Sequence, residues 1–276
     1  MKKILPLLLL LVYLNSFSQQ SAFDIFAKSY AKINSAKNME YQNFAKEKID
    51  DKYIIDNSLV RVVRSPYKVY LFQHKEGGSE ILYNSSVNKE KAIINPGEFP
   101  YINLNLSPYG TIMRNKAHHT IFDADLKYTY DVVNNTIQKK SPNNKLIYHG
   151  LVKIDNNTLY KIELINKDCK KYKYTVKANE DLVSIAKEYK IGDYKILELN
   201  PSISFYDDVK AGDIILIPNY YSKSIIMYID IKTYLPYVIK VFDEYGLYES
   251  FKLKDLKINI NFSKDEFLES NPKYGF

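Results

Sequence analysis

Residues 174–218, YTVKANEDLVSIAKEYKIGDYKILELNPSISFYDDVKAGDIILIP, read as a complete strand–helix–helix–strand unit set inside a longer chain. Leu182, Ile185, Ala186 and Tyr189 stand at i, i+3, i+4 and i+7, the apolar stripe of one helix. Glu180 and Asp181 sit at its start, where negative charge suits the helix dipole. Ile196, Leu197 and Leu199 give a second helix its inner face, and Asn200-Pro201 ends it. Residues 174–176 and 214–217 read as two strands, with Lys210-Ala211-Gly212-Asp213 turning into the second. So small a core is marginal alone, and support from the surrounding chain is expected.

The YTV opening, the LxxIAxxY helix, the LNP helix end and the AGDxxxIP close span about residues 173–219. Together they closely resemble the LysM module, a glycan-binding unit that recognises N-acetylglucosamine-containing polymers. The resemblance implies a shallow groove between two loops. Asn179, Glu180, Asp181 and Leu182 would form one wall, and Asn200, Pro201, Ser202 and Ile203 the other. Backbone amides and short polar side chains suit acetamido and hydroxyl groups, and an apolar floor suits a sugar face. The alternative is that these residues only form turns and caps. Asn179 and Asp181 stand where the family usually has Gly and Thr, and Lys190 where a Gly often ends the first helix. A single module of this kind binds modestly unless multivalent.

The front of the chain reads as an export signal. Lys2 and Lys3 precede an apolar run over residues 4–14, and Ser16 and Ser18 supply small residues for cleavage after Ser18. The run is short for a membrane span. No cysteine follows it to carry lipid. Export to a periplasm, in association with wall or outer membrane, narrows the expected glycan to peptidoglycan.

The formal charge of +7 is spread along the chain rather than blocked. Nucleic acid is not expected as a partner of an exported chain without a recognition motif. The single Cys169 excludes an internal disulfide. Twenty-six tyrosines and no tryptophan suit half-buried strand positions, where the ring packs and the hydroxyl stays wet.

Outside the module the pattern is strand-rich. A helix is expected over residues 22–37, capped by Ser21 with Asp24 three positions on, and facing inward through Phe23, Phe26, Tyr30 and Ile33. Strands follow at 39–50, 53–63, 67–74, 80–84, 92–94 and 101–106, with turns at Gly77-Gly78 and Pro96-Gly97. Residues 119–140 read as partly helical, and strands return at 146–154, 159–165, 224–230, 237–243 and 247–256. The fold class expected is α+β: a curved antiparallel half-barrel sheet with helices on one face, carrying the inserted βααβ unit. The division expected is a signal peptide at 1–18, a first part of the large domain at 19–170, the insertion at 171–221 and closing strands at 222–276. Insertion between two hairpin strands is where a domain is best tolerated.

RSPYKVYL at 64–71, KAHHTIF at 116–122, the stretch YIDIKTYLPYVIKVFDEYGLYESFKLKDLKIN at 228–259 and the ending FLESNPKYGF carry a second resemblance. It is to the LolA/LolB-like lipoprotein-carrier superfamily, and more closely to a secreted family within it. This implies a half-barrel that cradles acyl chains, and an envelope setting rather than a mechanism.

No residue set here places catalysis. Adjacent His118 and His119 diverge on a strand or a helix and suit hydrogen bonding or capping better than a shared metal. No carboxylate pair, nucleophile elbow or phosphate loop is marked. No catalytic residue, metal or cofactor is therefore expected. The function expected is a non-enzymatic envelope protein that binds peptidoglycan through its small module, with a carrier or scaffold role for the large domain. The alternatives are a peptidoglycan hydrolase with an unmarked active site, and a lipid- or lipoprotein-binding protein with a degenerate module.

Overall fold

The computed structural model describes residues 21–99, 101–115 and 117–276. The expected export signal lies outside them. No helix among the described residues is long and apolar enough to cross a membrane.

Helix α1 (Ala22–Ser35) starts at a full capping box, in which Ser21 and Asp24 satisfy each other's backbone amides. Its buried face is Ala22, Ile25, Phe26, Ser29 and Ile33. Phe23, expected on that face, points outward and is more than half exposed. The stripe is set by Ile25 and Ser29, one position away from the aromatic pattern.

Strands β1 (Asn38–Ile49), β2 (Lys52–Arg64), β3 (Tyr67–Gln73), β4 (Ser79–Asn84), β5 (Ala92–Asn95) and β6 (Leu104–Leu106) then form an antiparallel meander. Only the last three residues of the expected 101–106 strand pair. Gly77 and Gly97 both have positive φ, and a Cβ on Gly77 would meet the Gly97 carbonyl oxygen at 2.1 Å. The β3–β4 turn and the loop after β5 thus approach each other through glycine backbones.

The chain next crosses the sheet through short helix α2 (Thr111–Arg114), an irregular segment at 117–120, a 3-10 turn at Ile121–Asp125 and helix α3 (Lys127–Gln138). Strands β7 (Asn144–Ile154) and β8 (Asn157–Asn166) follow. The inserted unit comprises β9 (Lys171–Thr175), α4 (Leu182–Tyr189), α5 (Asp193–Leu199) and β10 (Ile214–Pro218). Strands β11 (Ser224–Asp230), β12 (Pro236–Asp243) and β13 (Gly246–Ile258) close the large domain.

The large sheet is open and antiparallel, in the order β6-β5-β4-β3-β2-β1-β13-β12-β11-β8-β7. Strand β13 returns to pair with β1, so chain-end and chain-start hold the centre together. Strand β8 pairs directly with β11, Ile165 opposite Ser224, across the insertion. Helices α1 and α3 and the 3-10 turn cover part of one sheet face, burying Ile25, Phe26, Ile33, Tyr130 and Val133 against Val62, Val69, Ile162 and Met227. The C-terminal tail docks on the opposite face. Tyr274 stacks on Tyr70 with ring centroids 3.9 Å apart, and Phe267 packs with Tyr70 and Leu82. The fold is α+β, as expected.

Candidate functional site

The inserted unit has its own two-stranded sheet and its own core, in which Leu182, Ile185, Ile191, Ile196 and Ile217 are fully buried. Asp181 caps α4: its carboxylate accepts from the Ser184 amide at 2.7 Å, and its own amide donates to Ser184 Oγ at 2.9 Å. Lys190 ends the helix at φ 56° and Asn179 precedes it at φ 64°. Both occupy left-handed backbone that glycine adopts without strain, so the two departures from glycine preserve the chain path.

The eight residues expected at the groove fall into two groups. Glu180 accepts from the Tyr174 hydroxyl and the Lys177 amide, fastening its loop. Asn200 donates to the Ile196 and Leu216 carbonyls and accepts from the Leu216 amide, tying α5 to β10. Leu182 lies in the core, and its amide donates to the Tyr206 carbonyl at 2.8 Å, joining the two loops. With Asp181, these side chains build the loops. Asn179, Pro201 and Ser202 are exposed, and Ile203 is half-buried between them and the core.

The unit docks on the large domain through its helices. The Arg114 guanidinium, shut off from solvent, donates to both Asp193 carboxylate oxygens and lies 3.9 Å over the Tyr206 ring. Lys195 binds Asp243 at 2.9 Å and Glu198 at 2.7 Å. The Tyr128 hydroxyl donates to the Ile191 carbonyl. The His118 ring is sandwiched between Tyr194 of the insertion and Tyr248 of β13, with centroids 4.4 and 4.3 Å away.

His118 and His119 do not diverge, because the segment carrying them is neither strand nor helix. His118 Nδ1 lies 2.8 Å from Glu249, and His119 Nε2 lies 3.3 Å from the same oxygen. The Tyr221 hydroxyl donates to both oxygens of that carboxylate. Burial opposes the Glu249 charge, but the neighbouring His119 cation and bonds from both histidines hold its carboxyl well below the ordinary range. Burial likewise opposes the His119 charge. Glu249 and Asp123 outweigh it and raise that imidazole well above its usual value. Among the described residues no cluster of His, Cys, Asp and Glu is arranged to hold a metal. Cys169 is held up by burial, then by Glu244, which leaves a poor nucleophile.

On the same sheet face, beside the part covered by α1 and α3, a cavity of about 710 Å³ lies between the strands and residues 104–115 and 117–129. Leu71, Ile81, Ile94, Met113, Ile121 and Leu253 supply much of its wall. Leu71 and Ile81 belong to the strands expected at 67–74 and 80–84, whereas Met113 comes from α2.

The LysM domain family matches residues 174–218. That stretch is a LysM domain. Its match covers the unit from the β9 end to the last residue of β10, including all eight residues expected at the groove. No curated protein matches the chain. Among solved structures, the chain is similar to a DUF1329 family protein from Desulfovibrio piger, at 7% identity and TM-score 0.32, over 91% of this chain and 99% of that one. It is similar to a LolA superfamily protein from Nitrosomonas europaea, at 9% and 0.33, over 90% and 97%. It is also similar to LprF from Mycobacterium bovis, at 9% and 0.44, over 88% and 95%.

Proposed function

We propose that this is a non-enzymatic envelope protein. Its LysM domain binds peptidoglycan, and its large domain carries an apolar ligand or the lipid part of a lipoprotein. The observation that carries the reading is the way the LysM domain sits. It is anchored by α5 and the turn before it through Arg114–Asp193, Lys195–Asp243 and Tyr128–Ile191, while Asn179, Pro201 and Ser202 stay in solvent. The internally bonded Glu180, Asp181 and Asn200 pre-shape the two loops, so little ordering remains to oppose sugar binding. Exposed backbone and short side chains at 178–179 and 201–204 supply the polar contacts. The carrier role is supported by the cavity, whose volume lies within the range of ligand pockets.

Titration with N-acetylglucosamine oligomers, followed by amide chemical shifts, tests the glycan part. Shifts confined to residues 177–182 and 200–206 support it. Shifts elsewhere, or none, contradict it.

A further inference from the structure

The cavity wall is patterned. Tyr41, Val60, Leu71, Ile81 and Ile94 line it from neighbouring strands, Val60 to Ile94 opposite one another in register and Tyr41 opposite Val60. The next inward row is Asn43, Ser58, Gln73 and Ser79, also in register and also on the wall. Strand alternation makes these two rows adjacent stripes of one surface, the first apolar and the second polar.

The polar stripe is not satisfied from within. Ser58 is 1% exposed, and its hydroxyl has no hydrogen-bond partner among the described residues. The buried Asn43 Oδ1 also has none. The two residues face each other across β1 and β2. Burying polar atoms without partners is costly, and an apolar pair would have packed there without that penalty.

Charge narrows what could supply the missing bonds. The chain carries +7 overall, yet among the described residues this wall holds Glu47, Asp56, Glu98 and Asp123 against one lysine, Lys75. His119 on the wall is already engaged by Glu249 and Asp123. The field therefore disfavours an anionic head group, and the free oxygens ask for a donor.

We propose that the cavity takes a single-chain amphiphile whose polar group is an uncharged hydrogen-bond donor, a hydroxyl or an amide. That group is seated on Asn43 and Ser58, and the hydrocarbon lies along Tyr41, Val60, Leu71 and Ile81. This rests on the carrier reading above and adds which head group is held.

The test uses the full exported chain, stripped of bound lipid, and displacement of an apolar fluorescent dye below micellar concentrations. The probes are 1-monolauroylglycerol and laurate, which share one hydrocarbon chain. The glycerol ester is expected to displace the dye at about tenfold lower concentration. Ser58→Val with Asn43→Leu should bring the two probes within about twofold while dye binding persists, and Ser58→Ala alone should fall between. Equal displacement by the two probes, a preference for laurate, or a preference untouched by the variants overturns the head-group assignment alone. A chain that binds neither dye nor either probe overturns the carrier reading itself.

Discussion

Arg114 and Asp193 form a two-bonded ion pair, at 3.0 and 2.9 Å, between helix α2 of the large domain and the start of α5 in the LysM domain. The guanidinium also donates to the His118 carbonyl. Its neighbour Met113 lines the cavity. One short helix thus faces the LysM domain with one side chain and the cavity with the next.

Removing one partner of such a pair leaves a buried charge without compensation. Asp193→Ala is expected to cost about 3–5 kcal/mol in urea unfolding. Arg114→Leu in the same chain should restore part of the loss, because the stranded cation is gone. A single variant as stable as the parent would show that the pair does not hold the domains together.

The Glu249 network sets a pH window. Glu249, held low, contributes stability that is complete above its ordinary value of 4.5 and is lost as pH falls towards its folded value. His119, held high, contributes stability that is complete below 6.5 and is lost as pH rises through its raised value. Both are at full strength between about pH 4.5 and 6.5. Urea midpoints should peak there, and Glu249→Gln should flatten both flanks. A profile that the variant leaves unchanged would assign the pH dependence to other groups.

Asn200 and Ser202 lie two residues apart and should behave differently. Asn200→Ala removes two hydrogen bonds to Leu216 of β10 and one to the Ile196 carbonyl within α5, and is expected to cost about 1–3 kcal/mol. Ser202→Ala, at an exposed position, should change stability by less than about 0.5 kcal/mol but weaken glycan capture. Equal effects on stability, or glycan capture unchanged by Ser202→Ala, would remove Ser202 from the groove.

Lys190→Gly should stabilise the LysM domain by roughly 0.5–1 kcal/mol, since φ 56° strains a residue with a Cβ. Thermal unfolding checks this. A lower midpoint would mean that the lysine side chain contributes more than its backbone costs.

Much of the architecture was legible because local pattern and tertiary demand agree. The stripe of Leu182, Ile185 and Ala186, the Ser21–Asp24 cap and the turn at Gly77 each appear where spacing places them. The LysM match was legible by resemblance, but the sequence did not separate the residues that build the two loops, Glu180 and Asn200, from the exposed ones, Asn179 and Ser202. That division depends on which carbonyls and amides the fold brings within reach. Glu249 and the Asn43–Ser58 pair were missed, although they carry a signal. Glu249 is in phase with Phe251 and Leu253, and Asn43 with Tyr41 and Ala45, on the inward side of their strands. A polar residue in phase with an apolar row marks a buried network or a ligand contact. Arg114–Asp193 had no such signal, because 79 positions separate the two and only the docking of two domains joins them.

The central claim is tested most directly by co-sedimentation of residues 19–276 with insoluble peptidoglycan. A chain carrying Asn179→Ala and Ser202→Ala is run beside it, with its fold verified by an unchanged urea midpoint. The account expects the parent in the pellet, its release by N-acetylglucosamine oligomers, and the variant mostly in the supernatant. A parent chain that stays in solution, or a variant that sediments equally well, would contradict it.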